Sequence, residues 1–259
     1  LRGIMRGAPS FLICNGPSFN ELDKRPLNYA YTMAVNNGPA ACYTRFAPSA
    51  WTLVDDPSRF LLSIWLNPQI QKFVPHAHAG KPLWTSMNGK DEPFTIDGRP
   101  VVVRDCPNVL YYHRNEKFEA NRFWIEDTFN WGMHSDFTDS HGHKGGRSVM
   151  LVALKMLFQL GFRRIYIVGA DFKMAPDKKY SFDEAREKGA INCNNATYAA
   201  LNDRLKEALP HAEALGLKIW NCTPNSGLKA FPYLPYEDAL KDAFAWCGGD
   251  YRNLFNGFE

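Results

Sequence analysis

Phe11 to Cys14 is a continuous apolar run that stops at Asn15-Gly16-Pro17-Ser18, and this run-then-turn pattern recurs along the chain. A strand buried on both faces reads as an unbroken apolar run, whereas a half-exposed strand alternates. Tyr29 to Val35 ends at Asn36-Asn37-Gly38, and Trp51 to Val54 ends at Asp55-Asp56-Pro57. Arg164 to Val168 closes at Gly169-Ala170-Asp171-Phe172, and Leu217 to Asn221 leads to Thr223-Pro224-Asn225-Ser226. Helical stretches flank the later runs. Val149 to Leu160 is apolar nearly all round and stops at Gly161, while Ala196 to Leu215 contains Pro210, expected to kink or break it. Strands alternating with helices build parallel sheets. The expected fold is α/β: a Rossmann-like, mostly parallel, doubly wound sheet.

The 259 residues suit one large domain, taken as 1–259, with no internal repeat. Within it, 68–140 has no sustained 3.6 period and is rich in Pro, Gly, Asn and aromatics, so it is expected to be an insertion or lid. Short β-like pieces stand at Pro82 to Ser86 and Arg99 to Arg104. Much of the 14% aromatic content falls here or nearby, at Trp51, Trp65, Trp84, Tyr111, Tyr112 and Phe123-Trp124, interleaved with Arg and Lys. Two readings stand open: a large aromatic core, or a stacking surface for sugars or bases.

A net charge of +3, from 30 Lys and Arg against 27 Asp and Glu, does not by itself mark a nucleic-acid binder. The six cysteines include no C-x-x-C pair, which argues against a zinc knuckle or a dense disulfide framework. Reduced thiols, no membrane span and a soluble, cytoplasmic protein are expected.

In open α/β sheets, ligands bind outside the carboxyl ends of the strands, where every polar cluster named above falls. Asn15 to Ser18 is a candidate phosphate cradle, because a Gly-Pro turn at a helix start can aim backbone N–H groups at an anion. Ser18 with Glu21 three positions on has the capping-box pattern, so Ser18 is expected to cap that helix. The turn has no Walker lysine and no three-glycine dinucleotide fingerprint. His134, Asp136, Asp139, His141 and His143 form either a plain polar loop or a zinc or manganese site. Arg147 could pair a phosphate, and Lys178-Lys179 could form a basic lid.

The order of these motifs resembles that of the bacterial CMP-sialic-acid-dependent sialyltransferases and the related 6-hydroxymethylpterin diphosphokinase-like superfamily. The matching pieces are Ile13 to Ser18 with Glu21-Leu22-Asp23, Val35-Asn36, Gly146 to Gly161 running into Ile165 to Phe172, Tyr180-Ser181-Phe182-Asp183, and Cys222 to Ser226. The aromatic middle is not covered. The resemblance implies a nucleotide-binding domain with no required metal or other cofactor, taking a nucleotide-sugar as donor substrate. It implies that Asn15, Gly16, Ser18 and Asn36 contact the donor, with Ser148 at the start of the central helix. Gly169 and Asp171 would line the nucleotide, and Asn225 and Ser226 would border the sugar or base. Tyr180 would match one of two lid tyrosines on the leaving phosphate, and Lys173 stands where the other is expected.

One departure matters: where those enzymes carry a histidine as general base, this chain reads Asn192-Cys193-Asn194-Asn195, and no histidine lies between His143 and His211. Sugar transfer needs a group that takes the acceptor proton. His143 and Asp56 are the preferred candidates, with His141 and Asp55 behind them. The leading expectation is a glycosyltransferase moving a sugar from a CMP- or UDP-type donor to a hydroxyl acceptor, a glycan or modified DNA or RNA. The alternatives are a Mg²⁺-dependent pterin or nucleotide diphosphokinase, with Asp55, Asp56 and Asp171 as ligands, and a catalytically inactive nucleotide-binding module.

Overall fold

The structure, a computed structural model, describes residues 2–43, 45–86, 92–115, 119–125, 129–130, 148–174, 180–181 and 188–246. Seven strands form its main sheet: β1 (Pro9–Ile13), β2 (Thr32–Val35), β3 (Ala50–Thr52), β4 (Gln71–Pro75), β5 (Val109–Tyr112), β6 (Arg164–Val168) and β7 (Lys218–Asn221). Their order across the sheet is β7-β6-β1-β2-β3-β4-β5, and every pairing is parallel. The chain winds outward from β1 through β5, then returns to the other side of β1 to lay down β6 and β7. This is the doubly wound Rossmann-like architecture, with its direction reversal between β1 and β6, where Pro9 lies opposite Arg164 and Ile13 opposite Val168.

Period-two alternation divides the core into two layers. Leu12, Met33, Ile165 and Ile167 face α3 (Val149–Leu160) and α4 (Lys188–Ala214). Phe11, Ile13, Tyr166 and Val168 face the opposite layer, with Ala239, Leu240 and Phe244 of α5 (Tyr236–Trp246). The short helices α1 (Gly38–Cys42) and α2 (Leu62–Leu66) contribute Ala41 and Trp65 to that second layer. Helix α3 is buried almost all round, as its sequence predicts, and ends at Gly161 with φ 110°. Pro210 does not break α4, which runs through it.

The middle of the chain departs from the expected insertion. Both β4 and β5 lie within 68–140 and complete the main sheet. Lys72 disguises β4: the side chain is fully buried, and its ammonium donates to the carbonyls of Asn67, Ile70 and Pro107 at 2.6, 3.1 and 2.8 Å. The β-like pieces are found as a Thr95–Ile96/Arg99–Pro100 hairpin and isolated bridges from Pro82 to Val102 and Trp84 to Pro93. Trp51, Trp65, Phe123 and Trp124 are buried, so most of the aromatic content builds core. Among the described residues, no helix is long and apolar enough to cross a membrane.

Candidate functional site

The reversal between β1 and β6 opens a crevice at the carboxyl edge of the sheet, and the turns leaving those two strands are stitched together. Cys14 N–H donates to Val168 O at 2.9 Å, and Gly16 N–H to Gly169 O at 2.7 Å. A Cβ on Gly16 would stand 1.9 Å from Asp171 Oδ2 and 2.5 Å from Gly169 O, so only glycine lets the turns approach this closely. Ser18 then donates twice to Asp171 Oδ2, from its backbone N–H at 3.3 Å and its hydroxyl at 2.7 Å.

These contacts correct two expectations. Residues Pro17–Glu21 form a short 3-10 helix whose N-cap is Gly16, and Ser18 caps nothing. Pro17 at the first position lacks an N–H, which suits a helix start but leaves Ser18 inside it. The expected backbone phosphate cradle is also already occupied: Gly16 N–H, Ser18 N–H and Phe19 N–H all have protein acceptors. Asp171 holds the place an anion would take.

The crevice deepens into a cleft of about 210 Å³, and Asn15, Gly16, Asn36, Ser148, Gly169 and Asp171 all line it. Sequence-predicted residues from four separate segments therefore converge. Ser148 is the N-cap of α3, its hydroxyl accepting from Met150 N–H at 3.2 Å. Asn15 Oδ1 and Asn36 Oδ1 are both buried without a hydrogen-bond partner. Asn36 holds a left-handed φ of 51°, and a Cβ on Gly38 would come within 2.8 Å of Asn15 Oδ1. Polar atoms buried without partners cost stability and are rare in native proteins, so two of them lining one cleft make it the candidate ligand site.

Tyr180 and Lys173 also border the cleft. Ser181 N–H donates to Asn15 O at 2.8 Å, which fixes the segment carrying Tyr180 against the first turn. Lys173 is exposed, its ammonium 3.3 Å from Asn225 O. Asn225 and Ser226 are not among the cleft-lining residues. Ser226 is buried; its hydroxyl donates to Ala170 O and accepts from Leu228 N–H at 2.9 Å. It shapes the turn that carries Asp171 rather than meeting a ligand.

Asp56 does not line the cleft either. Its carboxylate caps Pro57–Arg59 by accepting from Ser58 N–H at 3.1 Å, and it pairs with Lys81 at 2.5 Å. Burial pushes its pKa up, but the bonds from Lys81 and Ser58 outweigh this and hold it at about 2. A carboxylate so committed makes a poor proton acceptor, and Asp55, one residue earlier, is the one that lines the cleft. His143 and Arg147 lie outside the described residues, as do Lys178, Lys179 and the His134, Asp136, Asp139 and His141 group. Among the described residues, no group of three His, Cys, Asp or Glu is arranged to hold a metal.

Helix α4 supplies a wall that the sequence did not disclose. Asn194, Thr197, Tyr198 and Leu201 line the cleft, and Tyr198 stacks on Phe172 with centroids 4.9 Å apart. Asn195, in the stretch where the resembling enzymes carry their histidine, instead clasps Met174: its Oδ1 accepts from Met174 N–H at 2.8 Å and its Nδ2 donates to Met174 O at 3.2 Å. Cys14 also lines the cleft, but burial and the nearby Asp171 charge push its thiol up to about 12, which favours the thiol over the thiolate.

No family model matches the chain, and no curated protein matches it. Among solved structures, it is similar to the crystal structure of a mammalian sialyltransferase in complex with Gal-beta-1-3GalNAc-ortho-nitrophenol. The likeness has 13% identity and a TM-score of 0.41, covering 76% of this chain and 68% of that one. It is too distant to carry weight, and the fold class stands on the strand order itself.

Proposed function

We infer that the chain is a glycosyltransferase that takes a nucleotide-activated sugar and moves the sugar to a hydroxyl acceptor. The observation that carries this is the convergence of Asn15 Oδ1 and Asn36 Oδ1, buried and unpartnered, on the reversal-point cleft beside Asp171. Nucleotides bind at such reversal points in doubly wound sheets. The motif order supports the sugar-transfer chemistry, and Asp55, which Arg59 approaches at 3.7 Å, is the carboxylate at the exit of β3 that lines the cleft.

In this scheme Asn15 Oδ1 and Asn36 Oδ1 accept from donor groups of the nucleoside, its ribose hydroxyls or base amino group, and Asp171 Oδ1, which Ser18 does not use, accepts from a further ribose hydroxyl. Tyr180 and Lys173 stabilise charge on the departing phosphate as the bond to the sugar breaks. Asp55 takes the acceptor proton. The volume of about 210 Å³ lies below the ~300–1,000 Å³ of sites that enclose a whole drug-sized ligand, so the sugar extends over the rim.

Thermal-shift measurements with CMP, UDP, GDP and ATP, each with and without Mg²⁺, test this, because a ligand that binds only the folded state raises its stability. A metal-independent shift with CMP or UDP is expected. Protection by ATP with Mg²⁺ and by nothing else would favour diphosphokinase chemistry and overturn sugar transfer.

A further inference from the structure

Resting on the nucleotide-sugar reading, we propose that the hydroxyl acceptor is an anion, and that a phosphomonoester it carries docks between Lys24 and Arg45, in a second hollow beside the donor cleft. The hollow has a volume of about 410 Å³ and is lined by Asn20, Leu22, Asp23, Lys24, Arg25 and Arg45, none of which lines the cleft. Its charges do not balance. Arg25 takes both carboxylate oxygens of Asp23, through Nε at 3.0 and 3.1 Å and a terminal nitrogen at 2.8 Å. Lys24 and Arg45 remain, and among the described residues neither is in an ion pair. Two positive charges therefore line one hollow uncompensated.

Lys24 is held in position by the protein. Its ammonium donates to Asn20 Oδ1 and to Ala41 O, each at 3.1 Å, and stands 4.7 Å from the centre of the buried Phe19 ring. An ammonium carries three N–H donors, so one is left for a ligand. Burial lowers the Lys24 pKa, and the Arg45 charge nearby lowers it further. The two cations thus repel each other, and an anion between them relieves that repulsion. A phosphomonoester, with a charge of about −1.5 to −2 at neutral pH, matches the pair. A nucleic-acid strand would need a row of such cations along its backbone.

Two connections set the hollow against the donor cleft. Asn20 Nδ2 donates to Ser181 O at 2.8 Å, and Ser181 N–H donates to Asn15 O at 2.8 Å, so a short stretch of backbone joins the two. Helix α1 makes the second connection. Gly38 packs on Asn15, where a Cβ would come within 2.8 Å of Oδ1. Ala41, whose carbonyl receives Lys24, lies three residues further on, ~4.5 Å along the helix. A small acceptor anchored there by its phosphate can present a hydroxyl at the cleft rim.

Ligand-observed NMR titration with glycerol 3-phosphate, which joins a phosphomonoester to free hydroxyls, tests the assignment. Glycerol, inorganic phosphate and a short oligothymidylate are titrated beside it, and CMP binding is measured by calorimetry on the same samples. Glycerol 3-phosphate should bind and glycerol should not. Arg45→Gln and Lys24→Met should each weaken that binding about tenfold, as expected for one charge-assisted contact, and leave CMP affinity within about twofold. Arg45 is exposed, so Arg45→Gln should also keep the wild-type melting temperature. Absence of glycerol 3-phosphate binding, or binding that survives both variants, overturns the proposal. So does inorganic phosphate that binds as tightly, which would make the hollow a bare ion site, or an oligothymidylate that binds more tightly and is weakened by the same variants. CMP binding without glycerol 3-phosphate binding removes this assignment alone, whereas failure of CMP to bind removes the nucleotide-sugar reading and the acceptor role with it.

Discussion

Ser18 sends both its backbone N–H and its hydroxyl to a single oxygen, Oδ2 of Asp171, joining two turns that lie 153 positions apart in the chain. A carboxylate bonded in this way acts as a rivet across the reversal point, and it stands where the sequence pattern alone suggested a bound anion.

Removing the rivet should loosen the crevice before it touches any ligand. Hydrogen bonds to charged groups contribute about 1.5–3 kcal/mol, so Ser18→Ala should lower unfolding free energy by about 1–2 kcal/mol and Asp171→Ala by more. Urea denaturation measures both. Wild-type stability in Asp171→Ala would show that the carboxylate does not hold the turns.

Gly16 has a backbone approach that no side chain allows, with Asp171 Oδ2 at 1.9 Å from the position of a Cβ. Overpacking typically costs about 1–3 kcal/mol, and Gly16→Ala should reach at least the upper part of that range, because the neighbouring atoms include the Gly169 backbone. Gly80, with nothing within 4 Å of its Cβ position, is the matched control, and Gly80→Ala should unfold like the wild type.

Asn15→Ala and Asn36→Gly should separate binding from stability. Each removes a buried acceptor that no protein group satisfies, and glycine retains the left-handed φ at position 36. The ligand-free melting temperature should therefore stay constant or rise, while the shift produced by CMP or UDP shrinks. A loss of ligand-free stability with an undiminished nucleotide shift would remove these amides from the site.

The Asp56–Lys81 pair gives a pH signature. The folded-state pKa of Asp56, about 2, lies below its ordinary value of 3.8, so the folded state binds fewer protons than the unfolded state between those values. Its contribution to stability is present above pH 3.8 and is lost as the pH falls toward 2. Lys81→Met should flatten that part of the stability profile and leave the curve above pH 5 nearly parallel to that of the wild type. An unchanged acid limb would show that Lys81 does not set the carboxylate.

Where local composition and long-range geometry agree, the fold can be read from the sequence. Val149 to Leu160 and the Gly161 stop predict α3 as it stands, and the apolar runs at β1, β2, β3, β6 and β7 lie within three residues of the strands observed. The fourth strand escaped because Lys72 interrupts its apolar pattern, and nothing local reveals that three carbonyls receive the ammonium. The same limit applies to the site. Asn15, Asn36, Ser148 and Asp171 were visible at strand and helix ends. The commitment of Ser18 to Asp171 depends on a residue 153 positions away, and the cleft face of α4 carries no motif.

The position of β1 between β2 and β6 also bears on how the chain is made. During synthesis, β2 can pair with β1 once residue 35 has left the ribosome, but the other edge of β1 stays bare until residues 164–168 emerge. For most of translation the nascent protein therefore presents an open apolar strand, a site for chaperones or unwanted pairing, and only the return of the chain closes it.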